Sequence, residues 1–168
     1  MTAPYVYIAS LSDYNNGTLH GAWIFADQDA DDIQEEISEM LAASADPGAE
    51  EWAIHDYEGF PIRLGEWESV GWLAALGQAI AEHGPDAVEA ACVSLGADSP
   101  DSLETALSGF TVQLSWDDVV TSFADACGLY ELAAKNPGLV VDERDIRVTL
   151  ESNGSYHETS TGAVVEFY

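Results

Sequence analysis

The sequence predicts an α+β fold assembled from small units, and three observations predict it. The opening residues alternate as two strands around an Asn-Asn-Gly turn and then run into an amphipathic helix. The middle of the chain carries helical spacing only. The end returns to a strand, a helix and an antiparallel meander. A length of 168 residues fits one domain, or two or three very small ones.

Tyr5-Val6-Tyr7-Ile8-Ala9-Ser10 reads as the first strand and Thr18 to Phe25 as the second, with the turn at Asn15-Asn16-Gly17, whose residues tolerate positive φ. The pair is a predicted β-hairpin. Asp29 to about Ala43 is a predicted helix, because Ile33, Ile37, Met40 and Leu41 share one face. Ala45-Asp46-Pro47-Gly48 ends it. Glu51 to Tyr57 is a third strand with Trp52 and Ile54 expected on one side.

Ser69 to His83 carries Val70, Leu73, Leu76 and Ile80, and Glu82 is its only charged residue, so a largely buried helix is predicted. Gly84-Pro85 opens the next helix, with Val88, Ala91, Cys92 and Leu95 inside and Asp86 and Glu89 expected outside. Ser99-Pro100-Asp101 starts a further helix with a cap, a proline and an acid in order. Phe110 to Ser115 alternates as a strand. Ser115-Trp116-Asp117-Asp118 resembles a capping box and begins a helix to about Ala134, expected to be buried through Val119, Val120, Phe123 and Cys127. Asn136-Pro137-Gly138 stops it. From Arg147 a meander is predicted, with strands over 148–151, 156–159 and 163–168.

Charge is the outstanding compositional feature. Four basic residues (Arg63, Lys135, Arg144, Arg147) face thirty-one acidic ones, for a formal net charge of −27. No Lys or Arg precedes Arg63. Hydrophobic residues make up 47% of the chain, which argues against disorder and for a globular fold with an acidic exterior. Such a surface repels nucleic acid and anionic membranes and attracts basic proteins or cations. The N-terminus shows no signal-peptide pattern, and no apolar run approaches the roughly 20 residues of a membrane helix. Cys92 and Cys127 lie on faces read as apolar, so buried free thiols are expected.

Within the first helix, Asp32, Glu36 and Glu39 are spaced i, i+4, i+7 on one face, Asp29 precedes them on the same stripe, and Asp31 pairs with Glu35. No cation answers them inside the helix. An ordinary solvated helix gains about 0.2–0.5 kcal/mol for each opposite-charge pair at this spacing; this one forgoes the gain and accepts repulsion. The one-sidedness favours a presented surface over simple solvation.

Recognised chemistry is thin. Asp27-Gln28-Asp29-Ala30-Asp31 starts like a calcium loop, but Asp32 and Ser38 stand where that loop needs Gly and Glu. His20, His55, His83 and His157 lack zinc-site spacing. As strand neighbours, His55 and Asp56 are expected on opposite faces. No nucleophile elbow or phosphate loop is present. Paired acids can serve glycoside hydrolysis, but only at a separation the sequence does not show. No catalytic residue, metal or cofactor is assigned.

The remaining reading is imitation. Duplex DNA carries roughly one negative charge per 1.7 Å of axis, so 27 charges match about 46 Å, or about 13–14 base pairs. Carboxylates one helical turn apart are about 5.4 Å apart along the axis, comparable with phosphates along a strand.

The segments Val6-Tyr7-Ile8-Ala9-Ser10-Leu11-Ser12-Asp13-Tyr14-Asn15-Asn16-Gly17, Gly21-Ala22-Trp23 and Trp52-Ala53-Ile54-His55-Asp56-Tyr57-Glu58 resemble the ArdA-type antirestriction proteins. The Ala-Ile-His-Asp-Tyr-Glu run is the most specific. Glu68-Ser69-Val70-Gly71 fits more loosely. Val140-Val141-Asp142-Glu143-Arg144-Asp145-Ile146 keeps the acids of the family's antirestriction motif and lacks its aromatic neighbours. The resemblance implies a non-enzymatic DNA mimic carried by mobile elements or phage. Its implied partners are the modification and specificity subunits of type I restriction–modification enzymes in the bacterial cytoplasm, bound at the methyltransferase core. It implies an elongated chain of three small subdomains, here 1–62, 63–108 and 109–168, that dimerises through the last. His55 and Tyr57 match the signature as fold residues.

The acids expected to contact the partner are Asp27, Asp29, Asp31, Asp32, Glu35, Glu36 and Glu39. Glu66, Glu68, Asp86, Glu89, Asp98, Asp101, Glu104, Asp117, Asp118 and Asp125 are expected to extend the field along one side. Two alternatives stand beside this reading: a decoy for another DNA-binding defence or nucleoid protein, and a salt-adapted acidic globular domain.

Overall fold

A computed structural model describes residues 3–168. The chain opens with β1 (Tyr5–Ser10), α1 (Leu11–Asn15), β2 (Gly21–Phe25), α2 (Ala30–Ala42) and β3 (Trp52–Glu58). The three strands form an antiparallel sheet in the order β2-β1-β3. Alternation decides its faces: Val6, Ile8 and Ile24 point into the core, where Ile33, Ile37 and Met40 of α2 meet them.

Two readings of this region are corrected. The hairpin pairing is as expected, but its connection contains a helical turn, and β2 starts at Gly21, not at Thr18. Ser10 causes this by capping α1, its hydroxyl accepting the Asp13 N–H. In β3 the register slips between Tyr7 and Ile8, which pair with Asp56 and Ile54 and leave His55 as an extra residue. The bulge turns Asp56 to the face of Tyr7, so His55 and Asp56 are exposed together, while Ala53 and Ile54 are buried and Trp52 is half-buried.

The middle consists of α3 (Val70–His83), α4 (Pro85–Ser94) and α5 (Pro100–Ala106). Ser69 caps α3, and Ser99 with Ser102 forms a capping box at α5. Helix α3 is the spine: Trp72, Leu73, Ala74, Leu76 and Ile80 are buried in one core that also takes in the first sheet, α2, α4 and α5. Gly77 makes the closest approach. A Cβ there would stand 2.0 Å from the Ala26 carbonyl oxygen, so only glycine lets α3 press against the backbone that leads into α2. Leu95, expected inside, is 51% exposed just past the end of α4.

The C-terminal part contains β4 (Phe110–Gln113), α6 (Trp116–Ala126), α7 (Leu129–Lys135), α8 (Glu143–Ser152), β5 (Tyr156–Glu158) and β6 (Val164–Phe167), with an antiparallel sheet in the order β4-β6-β5. Trp116, Val119, Leu150 and Val164 form a second, smaller core. The expected long helix to Ala134 is broken, because Gly128 turns left-handed (φ 66°) and separates α6 from α7. Phe123 lies beside the buried face of α6 formed by Trp116, Val119, Val120 and Ala124, and Cys127 is its C-cap residue; both are exposed. The expected strand over 148–151 is helical. Asp142 accepts the Arg144 and Asp145 N–H groups and caps α8, and this start signal outweighs the local β preference of Val148-Thr149. Strand β4 joins the sheet beside β6, not beside β5 where the expected strand would have paired.

The thiols are also corrected. Both are free, Cys92 half-buried and Cys127 exposed. Burial pushes the Cys92 thiol up to about 11.

Candidate functional site

The start of α2 is built by packing and amide hydrogen bonds, without any cation. With Gly77 holding α3 against Ala26, Gln78 of α3 donates to the Gln28 carbonyl and to Asp29 Oδ1, both at 3.0 Å. Gln28 in turn donates to the Phe25 carbonyl (3.0 Å) and to Glu36 Oε1 (2.6 Å). Asp29 is the N-cap residue, yet its carboxylate turns to Gln78 and caps no helical N–H. Asp31 and Asp32 occupy the first turn, where the helix dipole favours negative charge. With Ile33, Ile37 and Met40 buried, Asp27, Asp29, Asp31, Asp32, Glu35, Glu36 and Glu39 are all exposed.

The wider set divides. Glu66, Asp98, Asp101, Glu104, Asp117, Asp118 and Asp125 are exposed. Asp118 Oδ2 accepts the Ser115 hydroxyl at 2.7 Å, and half-buried Glu68 accepts the Gly65 N–H at 2.8 Å. Asp86 and Glu89, expected outside, turn inward. Glu89 is only 8% exposed, and it accepts the Ser160 N–H at 2.7 Å and the Ser160 hydroxyl at 2.6 Å. Asp86 Oδ1 accepts the hydroxyls of Thr159 and Thr161 at 2.8 and 2.5 Å. These two acids fasten α4 to the β5–β6 turn. Their inward position answers residues more than seventy positions away, which helical spacing does not register.

Ion pairs fall elsewhere. Among the described residues, Lys135 pairs with Glu131, Arg147 with Glu151 and Glu158, and His83 approaches Glu82 at 3.9 Å. None of the seventeen acids expected to contact a partner takes part. Lys135 and Arg147 are bound to acids outside that set, and Arg63 and Arg144 form no ion pair among the described residues, so the set keeps its charge.

Sequence reasoning missed two features. Glu50, Glu51, Trp52, Trp67 and Glu68 line a shallow depression of about 300 Å³. On the first sheet, Tyr5, Tyr7, Trp23 and Phe25 cover the face turned away from the core, with Trp23 47% and Phe25 56% exposed. The strict alternation of Tyr5-Val6-Tyr7-Ile8 is the signal that could have found the latter: both faces are apolar, and α2 covers only one. A larger depression of about 570 Å³ includes Tyr14, His55, Arg63 and Glu66 in its lining. There the bulged His55 meets the Tyr14 ring edge-on at 4.7 Å.

One interior acid is structural. Asp13 is 4% exposed and accepts the Ser44 hydroxyl at 2.6 Å. Hydrogen bonding with Ser10, then with Ser44, holds its carboxyl below the usual carboxylate range. Among the described residues, no cluster of His, Cys, Asp or Glu could hold a metal ion, and no helix is long and apolar enough to cross a membrane.

A search of curated proteins found no match. A family model described as "Antirestriction protein (ArdA)" matches residues 6–165. The chain therefore belongs to the ArdA antirestriction family, whose general role is non-enzymatic DNA mimicry against restriction.

Proposed function

We propose, with that family membership as the premise, that this protein inhibits type I restriction–modification enzymes by occupying the DNA-binding groove of their methyltransferase core. The observation that carries the reading is the separation of acids from cations. The exposed acids from Asp27 to Glu39, with Glu66, Asp98, Asp101, Glu104, Asp117, Asp118 and Asp125, take no part in an ion pair among the described residues. A groove shaped to neutralise phosphates also attracts a rigid array of carboxylates, and salt screens that attraction. Asp86 and Glu89 are assigned to holding the fold together.

Self-association belongs to the C-terminal part. Leu132, Leu139, Val140 and Val148 are about half or more exposed there, and an apolar surface of this kind supports a homodimer interface. The acidic helix α2 then remains free for the enzyme, in the cytoplasm of the bacterial host.

The test is competition. Purified protein is titrated into a labelled duplex bound to a type I methyltransferase of modification and specificity subunits. Displacement that weakens steeply as salt rises from about 0.05 to 0.2 M is expected. No displacement at the low end of that range overturns the assignment.

A further inference from the structure

We infer that the outer face of the first sheet is a docking surface for an arginine side chain of the partner protein, a contact additional to the field of acids and resting on the DNA-mimic reading. Cross-strand register builds this face in two rows. Phe25, Tyr5 and Glu58 lie side by side across the three strands, and so do Trp23, Tyr7 and Asp56. Paired residues of an antiparallel sheet share a face, so aromatic rings on β2 and β1 stand beside carboxylates on β3. The rings form one connected stack: Tyr5 meets Trp23 at 5.0 Å and Phe25 at 5.8 Å, and Tyr7 meets Trp23 at 5.2 Å. The Tyr5 hydroxyl donates to Glu58 at 2.5 Å.

The same molecule shows what such an arrangement takes. In the C-terminal core the Arg147 guanidinium lies 5.1 Å from the centre of the Trp116 ring. The Trp116 indole N–H donates to Glu158 at 2.9 Å, and Arg147 Nε pairs with Glu151 at 2.7 Å. Aromatic ring, flanking carboxylate and stacked guanidinium form one unit there. The first sheet has the ring and the carboxylate, and its three strands contain no Lys or Arg to complete the unit.

Charge complementarity selects the occupant. A second copy laid face to face would set Asp56 and Glu58 against their own equivalents with no cation between them. A cationic partner meets no such repulsion. Arginine fits better than lysine, because its planar guanidinium stacks on a ring while its N–H fork reaches a carboxylate.

The test uses two peptides of equal charge, deca-arginine and deca-lysine, at about 0.15 M salt, against the wild type, Trp23→Leu, and Trp23→Leu with Phe25→Leu. Leucine keeps an apolar side chain and removes the π faces of the two exposed rings, leaving the half-buried Tyr5 and Tyr7 in place. Circular dichroism melts establish that each variant is folded, and the single variant serves if the double one is not. The wild type is expected to prefer the arginine peptide about fivefold, and the folded variants to lose that preference. Equal binding of the two peptides by the wild type, or an unchanged preference in the variants, overturns the inference. In the DNA-displacement assay the folded variants are expected to be about fivefold weaker than the wild type. A wild type that prefers arginine but displaces no DNA sinks the choice of enzyme and leaves the arginine surface standing.

Discussion

The two ends of this protein hold the same ingredients in different states. In the C-terminal part, Arg147 is stacked on Trp116 and tied to Glu151 and Glu158, and Lys135 is tied to Glu131. In the N-terminal part, aromatics and carboxylates stand together on the first sheet and carboxylates line α2, with no Lys or Arg before Arg63. One end holds cations that pair with some of its acids, and the other has no Lys or Arg to pair with any. Net charge alone does not separate these states. An acid whose partner is already in the molecule offers little to an enzyme, whereas an acid without one keeps its full attraction for an external cation.

The sharpest way to break this comparison is to neutralise each end separately. Converting Asp27, Asp31, Asp32, Glu35, Glu36 and Glu39 to their amides is expected to weaken DNA displacement at least about 100-fold near 0.1 M salt. Converting Glu131, Asp142, Glu143, Asp145, Glu151 and Glu158 removes the same charge and is expected to cost less than about tenfold. Equal losses would show that only total charge matters. Glu36→Gln alone is expected to change displacement less than about threefold, since the acids act as a field.

A second test separates a fastening acid from a presented one. Glu89→Ala removes the acceptor of two Ser160 hydrogen bonds and is expected to lower stability by about 1.5–3 kcal/mol in urea unfolding. Displacement per folded molecule should stay unchanged. A stable variant with weakened displacement would return Glu89 to the enzyme-facing set.

Asp13 gives a smaller effect with a defined sign. Its carboxyl titrates below the ordinary value in the fold, so its contribution is present above the unfolded pKa near 3.9 and is lost as pH falls through the lower folded value. Asp13→Asn is therefore expected to be less stable than the wild type at pH 7. The gap should start to narrow near the unfolded value of about 3.9 and close as pH falls through the lower folded value in thermal melts. A gap independent of pH would mean that the loss comes from altered packing, not charge.

The smallest effect compares the thiols. Cys127 is exposed, while burial raises the Cys92 thiol to about 11. Alkylation at pH 8 is expected to modify Cys127 promptly and Cys92 only as the protein unfolds, read by mass spectrometry. Equal rates would mean that α4 opens readily.

Much of this architecture is legible in the chain. The spacing of Ile33, Ile37 and Met40 marks the inner face of α2, and the caps Ser69, Ser99 and Ser115 place three helix starts. The misreadings share a physical origin. The Asp142 cap and the Gly128 break compete with plausible local patterns at 148–151 and 123–127, and a single-residue pattern does not weigh one signal against another. The bulge at His55 depends on how β3 meets β1, about fifty residues earlier in the chain.

The sequence by itself determined the sign and amount of charge, its absence of Lys and Arg before Arg63, and the outward stripe of α2, because composition and helical period are local properties. Tertiary structure alone decided which acids remain free. Glu89 and Asp86 turn inward because Thr159, Ser160 and Thr161 arrive from the far end of the chain. The aromatic rows of the first sheet exist because register aligns three distant strands. Hydrogen bonds and ring contacts are relations between residues, and folding sets those relations.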